Sequence, residues 1–281
     1  LRPERLVFVD VDLLDRDGCV DVGGDALDGR FGVLTEVAVG PRVEFHFDWH
    51  HPYSVGSEGK RYDLSTRGTN MTRLVLVRHG ETEWNRERRV QGWAPVPLAD
   101  RGHKQAAALA ERLADRYTVD RLIASDLRRT LETARPIARA VGCELTTDRA
   151  WRERDFGVFQ GLDYGELFLG HPEFTLSEVG YTAAEARPEG GESLLDQRER
   201  VLAAFDGLRA SLGPDETAVV VTHGGPLYLV LGRVRDLDIH ATVLDQEQGN
   251  CAINELVADG DRVDVVAEND TAHLDAESGR D

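Results

Sequence analysis

The feature that most constrains the fold is a regular alternation of strand-like and helix-like segments from Thr72 onward. Short apolar runs, such as 73–77 and 217–221, take turns with longer stretches of helical periodicity, such as 101–116 and 127–141. The same alternation predicts a strand at 120–124, helices at 193–211 and 225–233, and strands at 251–257 and 262–267. Because helices that separate strands usually connect parallel neighbours, we predict a three-layer α/β/α sandwich with a mostly parallel sheet.

Residues 1–70 lack this alternation, since glycine and aspartate interrupt their apolar runs. The chain begins with Leu1, and its sole methionine, Met71, stands two residues before the first predicted strand. We expect Met71 to be the native start and residues 1–70 to be an over-extended reading frame or an unrelated appendage. The α/β domain is then expected at 71–274, followed by a polar, flexible tail at 275–281.

The charge balance limits the partners that this chain could bind. It holds 33 Lys+Arg against 51 Asp+Glu, a formal net charge of −18. Nucleic acids and anionic membranes require basic surface, so neither is expected as a partner, and no apolar run suits a membrane helix. Three widely spaced cysteines favour a reducing, cytoplasmic location. An acidic, lysine-poor surface also keeps a protein soluble at high salt, so adaptation to a salt-filled cytoplasm is one hypothesis. The codon bias of a GC-rich gene would give the same composition.

Two histidines and two arginines stand where predicted strands end. Arg78 and His79 follow the first strand, His223 and Gly224 follow a valine-rich strand, and Arg129 opens the helix after another strand. Ligands of open α/β sheets bind beyond the carboxyl ends of the strands. Arginine recognises phosphate and a histidine nitrogen can attack phosphorus, which predicts phosphoryl chemistry. Since this part of the chain has no P-loop pattern and no carboxylate cluster for Mg²⁺, we expect no metal and no other cofactor.

These residues resemble the histidine phosphatase superfamily, also called phosphoglycerate mutase-like, over about residues 72–274. The motifs occur in the order typical of that family. They are Arg78-His79-Gly80-Glu81-Thr82, Gln91-Gly92-Trp93, Ser125-x-Leu127-x-Arg129, Glu153 with Gly157 and Gly161, and His223-Gly224-Gly225. The resemblance implies a phosphoglycerate mutase-like fold and a histidine phosphatase domain at 71–274.

The resemblance also implies a role for each matching residue. His79 would be the phosphorylated nucleophile, and Glu153 the general acid that protonates the leaving alkoxide and then activates water. Catalytic charge would come from Arg78, Arg129 and His223, and the substrate would be bound by Arg78, Asn85, Gln91, Arg129, His223 and Gly224. By contrast, we expect Arg128, Arg152 and Arg154 to be surface residues.

The resemblance leaves three activities open. A hydrolase passes the phosphoryl group to water, a mutase returns it to another hydroxyl of the same substrate, and an inactive relative only binds a phosphorylated ligand. The acidic segment 161–193 and Gln91 after Val90 resemble the phosphatase branch. We therefore favour a metal-independent phosphomonoester hydrolase that uses a phosphohistidine intermediate on a small phosphorylated metabolite. Phosphoglycerate mutase and an inactive phospho-ligand-binding protein stay as alternatives, and a homodimer is left open.

Overall fold

A twisted sheet organises the part of the chain that the computed structural model describes, which is residues 71–244 and 246–277. Whether Met71 is the native start depends on residues 1–70. Those residues lie outside the described ranges, so the expected start stays a prediction. The same holds for most of the expected tail at 275–281, although a 3₁₀ turn at Ala272–Glu277 includes its first residues.

Six strands make up the sheet within the described residues. In spatial order they are β3 (Leu145–Thr147), β2 (Arg121–Ala124), β4 (Thr217–Thr222), β1 (Thr72–Arg78), β5 (Ile253–Asp259) and β6 (Arg262–Asp270). The first four are mutually parallel, whereas β5 runs antiparallel to both of its neighbours. The mostly parallel sheet that the alternation of elements predicts is confirmed.

Helices cover both faces of this sheet. The longer ones are α2 (Asp100–Arg116), α3 (Arg128–Val141), α7 (Leu194–Ser211) and α8 (Gly224–Val234). The shorter ones are α1 (Glu83–Arg86), α4 (Tyr164–Gly170), α5 (Leu176–Val179), α6 (Tyr181–Glu185) and α9 (Ile239–Leu244). Short 3₁₀ turns occur at Arg149–Trp151, Gly157–Phe159 and Pro172–Phe174. No helix among the described residues has the length and apolar character needed to cross a membrane.

Alternate side chains of the central strands pack into two separate cores. Leu74 and Leu76 of β1 pack with α7 and α8, whereas Val75 and Val77 pack with α2 and α3. All four side chains are fully buried. Both faces of β1 are covered, which is why its sequence is a continuous apolar run rather than an alternating one. The predicted three-layer α/β/α sandwich is therefore confirmed.

The predicted strand at 251–257 begins later than expected. Cys251 has a positive φ of 57°, a conformation that an extended strand cannot contain. Its backbone N–H points back to the end of β1, where it lies 3.2 Å from the carbonyl oxygen of Arg78. Residues 248–251 therefore form a turn against β1, and the strand itself starts at Ile253.

A buried carboxylate ties three elements together at the opposite end of β1. Glu255 of β5 accepts hydrogen bonds from Nε of Arg73 at 2.8 Å and from Nη2 of Arg116 at 2.6 Å. The hydroxyl of Tyr117 donates to the same carboxylate at 2.8 Å. Burial and the charge of Glu255 raise the pKa of Tyr117 well above its usual value, so the phenol stays protonated.

Candidate active site

Two histidines meet at the carboxyl ends of the parallel strands. Arg78 of β1 and Thr222 of β4 are partners in the parallel register, so the residues that follow them, His79 and His223, lie side by side. Their ring centroids are 5.3 Å apart, and the two side chains are 3% and 0% exposed. The prediction that strand ends bring these residues together is confirmed.

His79 is held in one tautomer. Its Nδ1 lies 2.7 Å from the carbonyl oxygen of Gly80, which can only accept, so Nδ1 carries the proton and Nε2 carries the lone pair. Nε of Arg129 donates to this Nε2 at 3.3 Å. Burial, and then the charges of Arg129 and Arg78, lower the pKa of His79 well below its usual value. The imidazole is thus neutral near pH 7, as a nitrogen nucleophile must be.

Arg129 enters the site from the first turn of α3. It is 1% exposed, and it donates from Nη2 to the carbonyl oxygen of Gly92 at 2.8 Å and from Nη1 to that of Ala94 at 3.3 Å. Burial lowers its pKa to about 10, so it remains charged at neutral pH. Across the described residues no carboxylate forms an ion pair with it. A buried cation without a counter-ion favours the binding of an anion.

Beside Arg129, two buried nitrogens have no hydrogen-bond partner among the described residues: Nε of Arg78 and Nδ1 of His223. Each group is anchored on its other side, because Nη1 of Arg78 donates to the carbonyl oxygen of Gln248 at 2.5 Å and Nε2 of His223 lies 2.9 Å from Oγ of Ser125. Burial, and then the charge of Arg129, lower the pKa of His223, so its ring is neutral too. A buried nitrogen left unpaired costs roughly 1–3 kcal/mol. When the hydroxyl of Ser125 donates to Nε2 of His223, the ring proton is on Nδ1, and an anionic oxygen that accepts from Nδ1 and from Nε of Arg78 would remove that cost.

Glu153 is positioned by three N–H groups. Its Oε1 accepts from the backbone of Arg154 at 2.9 Å and from Nε2 of Gln197 at 3.0 Å, while Oε2 accepts from the backbone of Gly225 at 3.2 Å. Gly225 lies in the first turn of α8, where a Cβ atom would fall 2.2 Å from Oε1. The close approach of the carboxylate to α8 therefore requires glycine at this position.

Sequence reasoning missed two residues of α7 that support Glu153. Gln197 donates to its carboxylate, as described above. Arg200 donates to the carbonyl oxygens of Ala150 at 2.7 Å, Arg152 at 3.0 Å and Glu153 at 3.3 Å. Residues three apart share one face of a helix. Two polar residues at that spacing, on the face of α7 that the core covers, were the available signal.

A cavity of about 450 Å³ opens beside these groups. Arg78, Glu153 and Gly224 contribute to its wall, and we call the part that they form its inner end. His79, which follows Arg78 in sequence, is buried and does not itself line the cavity, and neither do Arg129 and His223. The rest of the wall is largely apolar or aromatic, and includes Phe156, Tyr164, Phe168, Phe174, Leu176 and Tyr228. The site thus combines a cationic inner end with an apolar outer part.

Positive charge at the inner end comes from guanidinium groups. The guanidinium groups of Arg78 and Arg129 each carry a positive charge, and both Arg78 and Glu153 interact electrostatically with Arg129. Within the described residues, no group of three or more His, Cys, Asp or Glu is placed to hold a metal ion. Residues 71–281 hold 25 Lys+Arg against 38 Asp+Glu, so this cationic site belongs to an acidic chain.

Asn85 and Gln91 follow β1 in sequence but do not belong to the described wall of the cavity. Oδ1 of Asn85 accepts from the backbone N–H of Thr82 at 3.1 Å and caps the short helix α1. Gln91 is buried, and its Oε1 has no hydrogen-bond partner among the described residues. Their part in binding substrate stays a prediction.

One of the three arginines expected at the surface is buried instead. Arg128 is exposed, as expected, and Arg152 is partly buried; they pair with the carboxylates of Glu132 and Asp126 at 2.7 and 2.5 Å. Arg154 lies in the cavity wall, with its guanidinium 5.1 Å from the ring of Phe156. Its Nε donates to the carbonyl oxygen of Glu192 at 3.0 Å. Stacking and backbone hydrogen bonds stabilise the cation there, so the surface assignment was wrong.

Comparison with known proteins agrees with this geometry. The sequence profile of the histidine phosphatase superfamily (branch 1) matches residues 74–271. Phosphoglycerate mutase-like protein 4 of Arabidopsis thaliana is 35% identical over 220 residues, which cover 78% of this chain and 93% of that protein. The probable phosphoglycerate mutase GpmB of Salmonella choleraesuis is 34% identical over 213 residues, covering 73% of this chain and 96% of the relative.

Solved structures with the same fold include proteins named as phosphatases. Mycobacterial glucosyl-3-phosphoglycerate phosphatase in complex with VO3 has a TM-score of 0.63 and 30% identity, and the match covers 71% of this chain and 99% of that one. YhfR of Bacillus stearothermophilus has a TM-score of 0.64 and 28% identity, over 72% of this chain and 99% of that one. The histidines at the strand ends, His79 and His223, and the buried Arg129 agree with the matching profile. The chain therefore belongs to the histidine phosphatase superfamily, branch 1.

Proposed function

We propose that this protein is a phosphomonoester hydrolase that passes the phosphoryl group through His79. One observation carries the proposal: the neutral His79, with its lone pair on Nε2, lies among buried cationic and polar nitrogens that have no anion to bind. A phosphoryl group would supply the oxygen atoms that these nitrogens lack. The family includes both phosphatases and mutases by name, so the choice between them depends on the site.

In the proposed first step, Nε2 of His79 attacks phosphorus and the bond between phosphorus and the ester oxygen breaks. The carboxyl group of Glu153 gives its proton to the departing alkoxide, which leaves as an alcohol. Nε of Arg129, now directed at Nε2 of His79, would turn to a phosphoryl oxygen, and Nε of Arg78 would donate to another. Both guanidinium groups already lie at the site, so they stabilise the developing charge with little reorganisation.

In the second step, the carboxylate of Glu153 takes a proton from water, and the resulting hydroxide attacks phosphorus. The bond from phosphorus to Nε2 of His79 breaks, inorganic phosphate leaves, and the neutral imidazole is restored. Glu153 is again protonated, so the cycle balances. Glu153 suits both steps because it lines the cavity and three N–H groups fix its position.

Phosphoglycerate mutase is the second candidate, since one relative is named a probable phosphoglycerate mutase and another a phosphoglycerate mutase-like protein. A mutase must retain a substrate with several anionic groups and exclude water from the phosphoenzyme. Besides Arg78 and Glu153, Arg154 is the charged side chain of the described wall, so a substrate with several anionic groups has few cations to bind, which favours the hydrolase instead. We further propose a small phosphorylated metabolite as substrate and a cytoplasmic location, without nucleic acid or membrane partners, in keeping with the net charge of −18.

The test is release of phosphate from an alkyl phosphate by the full chain in the presence of EDTA. We expect His79→Ala to abolish release, while His103→Ala, an exposed histidine of α2, retains it. A radiolabelled phosphoryl group should be acid-labile, alkali-stable and absent from His79→Ala. Conversion of 3-phosphoglycerate to its isomer would favour the mutase. Release that survives in His79→Ala would refute the proposed nucleophile.

A further inference from the structure

The outer part of the cavity is built from apolar side chains that converge from separate elements. Phe168 comes from α4, Phe174 from a 3₁₀ turn, Leu176 from α5, Tyr228 from α8 and Leu244 from α9. These elements are short or lie far apart in sequence, yet each directs an apolar group to the same space. A cavity of about 450 Å³ with such walls can bury most of a small organic molecule.

Apolar surface continues to the mouth of the cavity. Tyr164, Phe168 and Leu244 line it while remaining 39%, 37% and 49% exposed. The rings of Tyr164 and Phe168 are nearly parallel, at 14°, with centroids 6.1 Å apart. Exposed aromatic side chains at the entrance to a site commonly mark the binding of an apolar ligand. The mouth is continuous with the inner wall that holds Arg78 and Glu153, so ligand and phosphoryl group would share one space.

A second anionic group finds little to bind in this wall. Apart from Arg78 and Glu153 at the inner end, Arg154 is the charged side chain that the described wall contains. Its Nε and Nη2 already donate to the carbonyl oxygens of Glu192 and Ala186, at 3.0 and 2.9 Å. A second anionic group of the substrate would therefore have to compete with these two carbonyl oxygens for Arg154.

We infer that the substrate is a phosphomonoester of an apolar or aromatic alcohol that bears no second anionic group. The phosphoryl end would bind beside Arg78 and His79, and the organic part would lie against Phe168, Phe174 and Leu244. This inference rests on the proposed hydrolase function and adds the chemical class of the alcohol. It separates this chain from relatives whose names specify phosphoglycerate.

Hydrolysis of three esters of primary aliphatic alcohols tests the inference, because their leaving groups are alike. We expect kcat/KM for 2-phenylethyl phosphate to exceed that for glycerol 1-phosphate and for 3-phosphoglycerate by at least about tenfold. Equal values, or a preference for 3-phosphoglycerate, would overturn the inference and assign Arg154 to carboxylate binding.

Adjacent positions of α4 offer a matched pair of variants. Phe168→Asp places a carboxylate at the mouth, and the preference for 2-phenylethyl phosphate should fall at least about fivefold. Leu169→Asp adds the same charge one residue later, at a side chain that is 88% exposed and does not line the cavity, so the preference should persist. Leu244→Asp repeats the test on α9 in case Phe168→Asp does not fold. A preference that survives both cavity variants would contradict the assignment of the wall.

Binding of non-hydrolysable phosphonates separates a failure of this inference from a failure of the proposed function. By calorimetry, 3-phenylpropylphosphonate should bind the full chain at least about tenfold more tightly than 3-phosphonopropionate. If no ester is hydrolysed but this ratio holds, the hydrolase is refuted while the cavity still selects apolar groups. If the ratio is reversed, or neither phosphonate binds, the inference is wrong whatever the hydrolytic activity.

Discussion

Substituting Gly225 by alanine would displace Glu153 without changing any charge. The added Cβ would fall 2.2 Å from Oε1 of Glu153 and 2.7 Å from Nε2 of Gln197. Ordinary contact begins at 3.4 Å, so Oε1 has to move by about 1.2 Å. Two of the N–H groups that hold the carboxylate, on Gln197 and on Gly225 itself, would lose their present geometry.

The expected loss of activity follows from that displacement. A misplacement of about 1 Å in a catalytic group costs about a hundredfold in rate, or ~2.7 kcal/mol of transition-state stabilisation. The fold should tolerate the change, because alanine gains up to ~1 kcal/mol over glycine in helix propensity. We therefore expect kcat/KM for an alkyl phosphate to fall about a hundredfold, while the free energy of unfolding changes by less than about 2 kcal/mol.

A comparison of two leaving groups shows whether Gly225→Ala loses activity because Glu153 is displaced. An alkoxide needs a proton as it departs, whereas p-nitrophenolate does not. Values of kcat/KM report the steps up to transfer of the phosphoryl group to His79. Gly225→Ala should therefore lower kcat/KM for the alkyl phosphate at least tenfold more than kcat/KM for p-nitrophenyl phosphate. Steady-state kinetics with both substrates, together with urea denaturation, make the measurement.

Gly207→Ala is the matched control. Gly207 lies on an exposed part of α7, and an added Cβ there meets no atom within 4 Å. We expect it to leave kcat/KM unchanged and to raise stability by about 0.5–1 kcal/mol. If Gly225→Ala retained kcat/KM within about threefold, or slowed both substrates equally, the role assigned to Glu153 as the acid would be refuted.

Two further predictions concern stability. In the folded protein the pKa of His79 and of His223 lies below the usual 6.5, so the unfolded state binds more protons at acidic pH. The free energy of unfolding should therefore fall as the pH drops below about 6.5, by up to ~1.4 kcal/mol per pH unit for each histidine. Urea denaturation at pH 7.5 and 5.5 should show a smaller loss of unfolding free energy for His223→Gln than for the unsubstituted protein. An equal loss in the two proteins would contradict this account. Glu255→Gln should cost about 2–3 kcal/mol, since it removes the carboxylate that two arginines and a phenol share, while Arg116 keeps its ion pair with Asp270 at 3.8 Å. Glu87→Gln, which removes an exposed ion pair, should cost less than about 0.5 kcal/mol in the same melts.

Much of the fold and part of the site could be predicted because they depend on local pattern. Periodicity located the strands and long helices to within a few residues, since burial on one or both faces dictates which positions are apolar. Strand ends located His79 and His223, because parallel strands direct their carboxyl ends to one edge. The same argument placed Arg129 at the start of a helix, and the resemblance to a family added Glu153, which no periodicity distinguishes.

What could not be predicted depends on contacts between distant segments. Arg154 has no local signature, since it acquires its role from groups that only the folded chain brings near. The spacing of Gln197 and Arg200 indicates a shared helix face but does not identify Glu153 as the residue that they support. Within 161–193 the sequence analysis predicted no helix, yet the structure has α4, α5 and α6 there, each of seven residues or fewer. Helices of this length are not stable alone and form because their neighbours cover them. The three-residue strand β3 was missed for the same reason.

The reversed direction of β5 has a consequence for the order in which the site is completed during synthesis. Because β5 runs against β1, the turn before it reaches the end of β1, where the carbonyl oxygen of Gln248 accepts from Arg78 across 170 positions of sequence. All four parallel strands emerge from the ribosome before that turn does. We expect a nascent chain stalled after α9, which already contains His223 and α8, to protect its parallel strands from protease while binding phosphate poorly, a difference that pulse proteolysis and phosphate binding would measure. Functional maturation would then be a late event, governed by the arrival of residues 248–251 rather than by collapse of the core.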